Sequence, residues 1–250
     1  MQKIAVVTGG GRGLGKNMAL RLAEKGTDVI ITYVSKKEEA ENVVKEIEAM
    51  GRKGAVLKFD AADFKGIDGF VNDILAVLKS KWNTDKFDYL INNAGIGQTV
   101  KIEDMTEEIF DKFLNVHFKT VYFLTQKTLP NMNDNGGIIN ISSGTTRFCV
   151  PGYSVYASFK SAIETFTKYL TKEIGHRGMT ANVVAPGAIE TDFNNAGIRN
   201  NPIFKEHLAS MTPLGRVGKA DDIGGVVAFL CSEDAKWING QRIEVSGGIN

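Results

Sequence analysis

Short runs of apolar and β-branched residues recur along the whole chain, and between them lie stretches with helical periodicity. The runs cover 4–8, 29–33, 55–59, 89–92, 138–142, 180–185 and 242–245, each flanked by turn residues. Apolar side chains nearly fill them, as expected of strands covered on both faces. Helical patterns occupy 13–25, 36–50, 67–79, 106–129, 155–174 and 220–232. Strand and helix in alternation mean βαβ units, a parallel sheet and right-handed crossovers. The expected fold is α/β: one domain over residues 1–250, a doubly wound parallel sheet of seven strands flanked by helices on both faces. No linker, low-complexity block or internal repeat divides it. The rhythm breaks over 187–213, where Asn194-Asn195-Ala196-Gly197 and Asn200-Asn201-Pro202 precede a weak helical stretch at 203–211. An insertion of this length suits a substrate-binding loop or lid, because ligands of such sheets bind beyond the carboxyl ends of the strands. A disordered surface excursion is the plainer alternative.

A chain of 250 residues buries a sufficient core without disulfides or a structural metal. Lys+Arg 30 against Asp+Glu 29 leaves a net charge of +1, so no overall field favours nucleic acid or an acidic membrane. Cys149 and Cys231 stand far apart, and His117, His176 and His207 form no cluster. Neither a disulfide framework nor a metal site is signalled. The cysteines read as small core residues, and each histidine as surface or satisfied core. The amino terminus runs straight into the first strand without a leader pattern, and no apolar run approaches the ~18 residues of a membrane helix. A soluble, cytoplasmic protein is expected.

The unusual figure is 27 glycines beside 5 prolines, and the glycines gather where the first strand ends. Thr8-Gly9-Gly10-Gly11-Arg12-Gly13-Leu14-Gly15 leads from that strand into a helix. Glycines let the backbone turn sharply and approach a pyrophosphate, while the helix amino terminus offers free N–H groups and partial positive charge. No three glycines here satisfy GxGxxG, and no Lys-Ser or Lys-Thr follows Gly15 as a nucleoside triphosphatase loop requires. A flexible turn without ligand is the plain alternative for this segment alone.

Tyr156 and Lys160 are four residues apart, neighbours on one helix face. A tyrosine with a pKa near ~10 is a poor base at neutral pH unless a cation favours its phenolate, and Lys160 supplies one. So tuned, Tyr156 can donate a proton to a carbonyl oxygen as hydride arrives, or take one from an alcohol. Ser143, at a strand's carboxyl end, can hydrogen-bond the same oxygen. The alternative is a half-buried aromatic beside a solvated charge.

Taken together, these motifs resemble the short-chain dehydrogenase/reductase family over essentially the whole chain. TGxxxGxG is that family's glycine spacing. Asn92-Asn93-Ala94-Gly95 stands where the family has NNAG, Tyr156-Ala157-Ser158-Phe159-Lys160 matches YxxxK, and Pro186-Gly187 with Thr191 matches PGxxxT. Ser143 precedes Tyr156 by 13 positions, as in the family; Ser142 is one too far. The resemblance implies a single-domain Rossmann fold and a catalytic tetrad of Asn115, Ser143, Tyr156 and Lys160. Tyr156 would be the acid/base, and Lys160 would also bind the nicotinamide ribose. Ser143 would orient the substrate oxygen, and Asn115 would hold a water linking Lys160 to solvent. The hydride chemistry belongs to the cofactor.

The same resemblance places the cofactor against Gly9, Gly11, Arg12, Gly13, Leu14 and Gly15, then Asn92, Ala94 and Gly95, and finally Pro186, Gly187, Ile189 and Thr191. Asp60 and Ala61 at the third strand's end would reach the adenine. An acid at the end of the second strand would bind a ribose 2′-hydroxyl and repel a 2′-phosphate. Tyr33 stands in that place, with Ser35 and Lys36 following and Arg12 opposite. NADP(H) is therefore favoured over NAD(H), although Lys36 and Lys37 also read as surface charges at a helix start.

The nearest pattern is that of 3-oxoacyl-acyl-carrier-protein reductases and glucose dehydrogenases, so a 3-oxoacyl thioester and a sugar or polyol are both open as substrates. Carrier-reading reductases present arginines at the site's mouth. Arg177 matches one of them, but Asp134 stands at the other, so an acyl carrier protein is doubtful as a partner. Phe148, Tyr153, Phe193 and Met211 are expected to line the substrate pocket with Ser143. Apolar stripes on the helices around Phe113 and Phe166 are core first; in the family these helices also pack against further subunits, which implies a homotetramer or homodimer. A dinucleotide sensor without turnover, or an epimerase or dehydratase, are the competing classes. The first would tolerate loss of Tyr156 or Lys160, and the second requires glycine where Arg12 stands.

Overall fold

All four residues of the first strand, β1 (Ile4–Val7), are buried. Successive side chains of a strand point to opposite faces: Ala5 and Val7 enter one apolar core, Ile4 and Val6 the other. The same two-sided burial holds along β2 (Asp28–Tyr33), β4 (Phe87–Asn92) and β6 (Thr180–Pro186). With β3 (Gly54–Lys58), β5 (Met132–Ile141) and β7 (Arg242–Val245) they form one seven-stranded sheet in the order β3-β2-β1-β4-β5-β6-β7. Every pairing is parallel. The computed structural model describes residues 2–249.

Helices α1 (Gly13–Glu24), α2 (Lys37–Ala49) and α9 (Asp221–Leu230) cover one face with residues such as Met18, Val43 and Val227. The opposite face is covered by α3 (Ile67–Trp82), α5 (Thr120–Thr128) and α6 (Ser154–Ile174) through Phe70, Leu124 and Leu170. The chain reverses its direction of travel across the sheet between β1 and β4. That opens a crevice at their carboxyl ends, the place where ligands of doubly wound sheets bind.

Three elements depart from the periodicity of the sequence. The helical pattern at 106–129 is not one helix: α4 (Glu107–Leu114) and α5 are joined by a π-helical turn over Asn115–Lys119, where the Thr120 N–H bonds back to the Asn115 carbonyl. Such a turn adds one residue to the ring and is invisible to a 3.6-residue repeat. Strand β5 begins at Met132, well before the apolar run, because polar Asn133, Asp134 and Asn135 join it around a register shift. The 187–213 segment is ordered as α7 (Phe193–Asn200) and α8 (Pro202–Met211). Within α7, Asn194, Asn195 and Ala196 take left-handed φ values of 51°, 58° and 55°. Asparagine tolerates that region, whereas Ala196 costs about 1–2 kcal/mol there.

Candidate active site

The turn after β1 is locked before any ligand is considered. The Thr8 hydroxyl accepts from the N–H groups of Asn93 and Ala94, both at 3.0 Å, and Asn93 Nδ2 donates to the Thr8 carbonyl at 2.8 Å. The Gly9 N–H donates to Thr32 Oγ1 at 2.9 Å. Gly9 needs its positive φ of 67°, and a Cβ on Gly15 would lie 2.1 Å from the Gly9 carbonyl oxygen. The result is that α1 starts flush against the end of β1. No side chain caps the first N–H groups of α1, and its first turn holds no acidic residue. An uncapped amino terminus with Arg12 beside it fits the pyrophosphate of a dinucleotide.

A cleft of about 410 Å³ runs from this turn across the strand ends. It is lined by Gly9, Gly11, Arg12, Gly13, Leu14, Gly15, Tyr33, Ser35 and Lys36 at one end. Ala94, Gly95, Ser143, Tyr156, Lys160, Pro186, Gly187, Ile189 and Thr191 follow, and Phe148, Tyr153 and Phe193 close the other end. These are residues expected from the sequence, brought together from opposite ends of the chain. Asn92, Asp60, Ala61, Asn115 and Met211 do not line it. Asn92 is buried and bonds Asn140 Oδ1 at 2.8 Å, so it ties β4 to β5. Asp60 Oδ1 accepts from the Ala62 N–H at 2.9 Å, and the buried Ala61 gives its carbonyl to Thr120 Oγ1 at 2.8 Å. Asn115 opens the π-helical turn that carries His117, and half-exposed Met211 ends α8. Asn93, His117, Phe204 and Leu208 line the cleft as well, although the sequence did not mark them as site residues.

Lys160 is buried, and its ammonium donates to the Ile141 carbonyl at 2.7 Å. Burial pulls its pKa down to about 8. Its Nζ lies 5.6 Å from the centre of the Tyr156 ring. The Tyr156 phenol is pushed up to about 12 by burial, and a hydrogen bond with Ser143 works in the opposite direction. A neutral phenol with a cation behind it is an acid placed to release its proton once an oxygen in the cleft gains charge. Ser143 Oγ accepts from the Thr145 N–H at 3.2 Å and from Thr145 Oγ1 at 2.9 Å, which leaves its own proton to donate. The neighbouring serine is committed elsewhere: Ser142 Oγ donates to Glu164 Oε1 at 2.6 Å.

His117, which no sequence pattern singles out, forms part of the cleft wall. Its ring is buried and meets that of Tyr156 edge-on at 5.0 Å. Nε2 lies 2.9 Å from the Ile96 carbonyl and 3.4 Å from the Ile96 N–H. Desolvation, with the Lys160 charge adding to it, holds its pKa well below the ordinary histidine value, so the imidazole is neutral. A lone histidine carries no spacing signal; only the π-helical turn brings it beneath Tyr156.

Beyond the reacting group the walls are apolar. Phe148, Val150, Phe193, Phe204 and Leu208 line this end, with the Tyr153 hydroxyl accepting from Asn194 Nδ2 at 2.7 Å. Arg177 does not reach the cleft. Its Nε pairs with Asp134 Oδ1 at 2.8 Å and its Nη atoms donate to the Leu129 and Met132 carbonyls.

Comparison with known proteins shows the family. Residues 9–250 match the family model described as enoyl-(acyl carrier protein) reductase. The chain is 37% identical to the 3-oxoacyl-(acyl-carrier-protein) reductase FabG of Staphylococcus aureus over 251 residues, covering 100% of this chain and 98% of that one. It is 34% identical over 257 residues to the hydroxynaphthalene reductase-like protein Arp2 of Metarhizium brunneum, covering 98% and 94%. Among solved structures, the angucycline C-6 ketoreductase LanV with bound NADP superposes with a TM-score of 0.94 at 34% identity, covering 99% and 95%. A match of this extent in sequence and fold defines an oxidoreductase. The chain belongs to the short-chain dehydrogenase/reductase family.

Proposed function

We propose that the protein uses NADPH to reduce the carbonyl of a neutral, apolar ketone to a secondary alcohol. The observation that carries this reading is the convergence of Tyr156, Lys160 and Ser143 at one end of a cleft whose other end is an uncapped helix amino terminus. The names of LanV and Arp2, a ketoreductase and a reductase-like protein of ring compounds, support it.

When bound, NADPH would supply the hydride. The protein's part is to hold the carbonyl oxygen and to deliver a proton to it. The Ser143 hydroxyl donates to that oxygen, and the Tyr156 phenol gives up its proton as negative charge develops there. The Lys160 ammonium, fixed by Ile141, stabilises the phenolate that remains. Asn115 is proposed to join this group from the turn next to His117. The glycines of the first turn, with Ala94, Gly95, Pro186, Gly187, Ile189 and Thr191, would hold the dinucleotide, and Asp60 and Ala61 would meet its adenine. Arg12, Ser35 and Lys36, with no acid at Tyr33, favour the 2′-phosphate. Residues 187–213 act as a lid within a single domain, and the chain assembles as a homotetramer.

Aromatic and aliphatic walls suit a ring-bearing ketone, and the Arg177 guanidinium is occupied by Asp134 rather than presented to an acidic carrier. The likeness to FabG keeps a 3-oxoacyl thioester as the second candidate. The test is titration of the purified protein with NADPH and NADH, followed by mixing the complex with tetralones, diketones, acetoacetyl thioesters and, in reverse, aldoses. Oxidation of NADPH by a cyclic ketone in preference to the thioester is expected. Binding without turnover would leave a sensor, and oxidation only by the thioester would overturn the substrate assignment.

A further inference from the structure

Behind Ser143, outside the cleft chemistry, four charged side chains meet between β5, α6 and β7. Arg242 on β7 donates through Nε to Glu164 Oε1 at 2.8 Å and through Nη1 to Glu244 Oε2 at 2.9 Å. Its Nη2 reaches the Ser143 carbonyl at 3.2 Å and Thr146 Oγ1 at 3.0 Å. Glu164 Oε1 also accepts from Ser142 Oγ at 2.6 Å and Thr146 Oγ1 at 2.9 Å, and Thr146 Oγ1 lies 3.0 Å from the Ser143 carbonyl. Arg147 joins Glu244 at 2.8 Å, so the charges balance. The side chains of Arg242, Glu164 and Glu244 are only 12%, 17% and 13% exposed.

We propose that Arg242 and Glu164 are positioning residues that aim Ser143 Oγ into the cleft. The inference rests on the reading that Ser143 and Tyr156 react. A mostly buried ion pair contributes little stability that apolar packing could not supply, so its value lies in orientation. Here it grips both serines at the end of β5. Consecutive residues leave an extended chain on opposite sides. Glu164 draws Ser142 to the α6 side, while Arg242 holds the Ser143 carbonyl away from the cleft, which turns Ser143 Oγ towards Tyr156. Glu164 lies one helical turn beyond Lys160, so the same grip sets the spacing between the strand end and the helix that carries Tyr156 and Lys160.

The experiment compares Arg242→Gln, Arg242→Lys and Glu164→Gln with wild type, each also in a Ser143→Ala background. Arg242→Lys keeps the charge and loses the fork, so it folds even if the glutamine variants do not. We expect kcat for reduction to fall about 10- to 100-fold, the scale of a misplaced reacting group. NADPH binding should stay close to wild type; the glutamine variants should melt lower, because each leaves a mostly buried charge unpaired, and Arg242→Lys should melt nearest to wild type. In the Ser143→Ala background the same changes should cost less than about twofold, because coupled residues are not additive. Full multiplication of the losses would overturn the proposal. A second measurement needs no substrate: in NADPH-loaded protein labelled with ζ-carbon-13 tyrosine, the Tyr156 resonance, assigned with Tyr156→Phe, reports its hydrogen bond to Ser143. Arg242→Lys should move it in the same direction as Ser143→Ala. An unmoved resonance would overturn the positioning role even if no ketone were turned over, an outcome that by itself would count only against the proposed function.

Discussion

The Lys160 ammonium is bonded to the carbonyl of Ile141, the last residue of β5, at 2.7 Å. A helix residue is thereby pinned to the strand end that leads to Ser143, and the cation is held behind the Tyr156 ring.

The burial of Lys160 gives the proposed reaction a pH dependence. With its pKa drawn down to about 8 by burial, Lys160 carries its charge below that pH and loses it above. The phenolate left by proton transfer then has no cation beside it. The kcat/KM for NADPH, which reports groups of the free enzyme, should therefore fall above about pH 8. Lys160→Arg, whose guanidinium does not titrate in this range, should show no such limb whatever its residual rate.

Tyr156→Phe keeps the ring contact with His117 and removes only the hydroxyl. Turnover should drop by about 10²–10⁴, the range of an acid/base contribution, with NADPH affinity nearly unchanged. Retained turnover in a clean preparation would remove Tyr156 from its role.

Arg12 is 61% exposed in its side chain and only loosely paired, 3.9 Å from Asp192, so it is available to a phosphate. Arg12→Ala should weaken NADPH by about tenfold, as loss of a charged hydrogen bond does, and leave NADH within a small factor. Equal losses in fluorescence titrations would mean that Arg12 serves only the turn.

Two glycines should respond in opposite ways to a methyl group. On Gly15 it would press on the Gly9 carbonyl at 2.1 Å, backbone that cannot give way; Gly15→Ala should cost about 3 kcal/mol. Gly225, exposed within α9, meets nothing within 4 Å, so Gly225→Ala should add about 0.5–1 kcal/mol by restricting the unfolded chain. Thermal melts of both variants decide the matter.

The parallel sheet was legible because burial on both faces leaves continuous apolar runs such as Ile4–Val7. The Tyr156–Lys160 pair was legible because one helical turn brings such neighbours together, and Gly9 and Gly15 because so few residues fit a turn that tight. These are local constraints, written within a few positions of one another. His117 was not legible: its place beneath Tyr156 depends on a π-helical turn that breaks the periodicity of 106–129. Nor was the Arg242–Glu164–Ser142 group, whose members are joined only when β5, α6 and β7 are laid side by side. Met211 pointed to the pocket by composition, yet the end of α8 carries it past the cleft, while Phe204 and Leu208 face in. The sequence by itself determined the layered α/β sheet and the pair of residues that can move a proton. The tertiary structure alone decided which serine stands beside that pair, which arginine is occupied by a neighbour and which apolar side chains line the cleft, because those contacts join residues far apart in the chain.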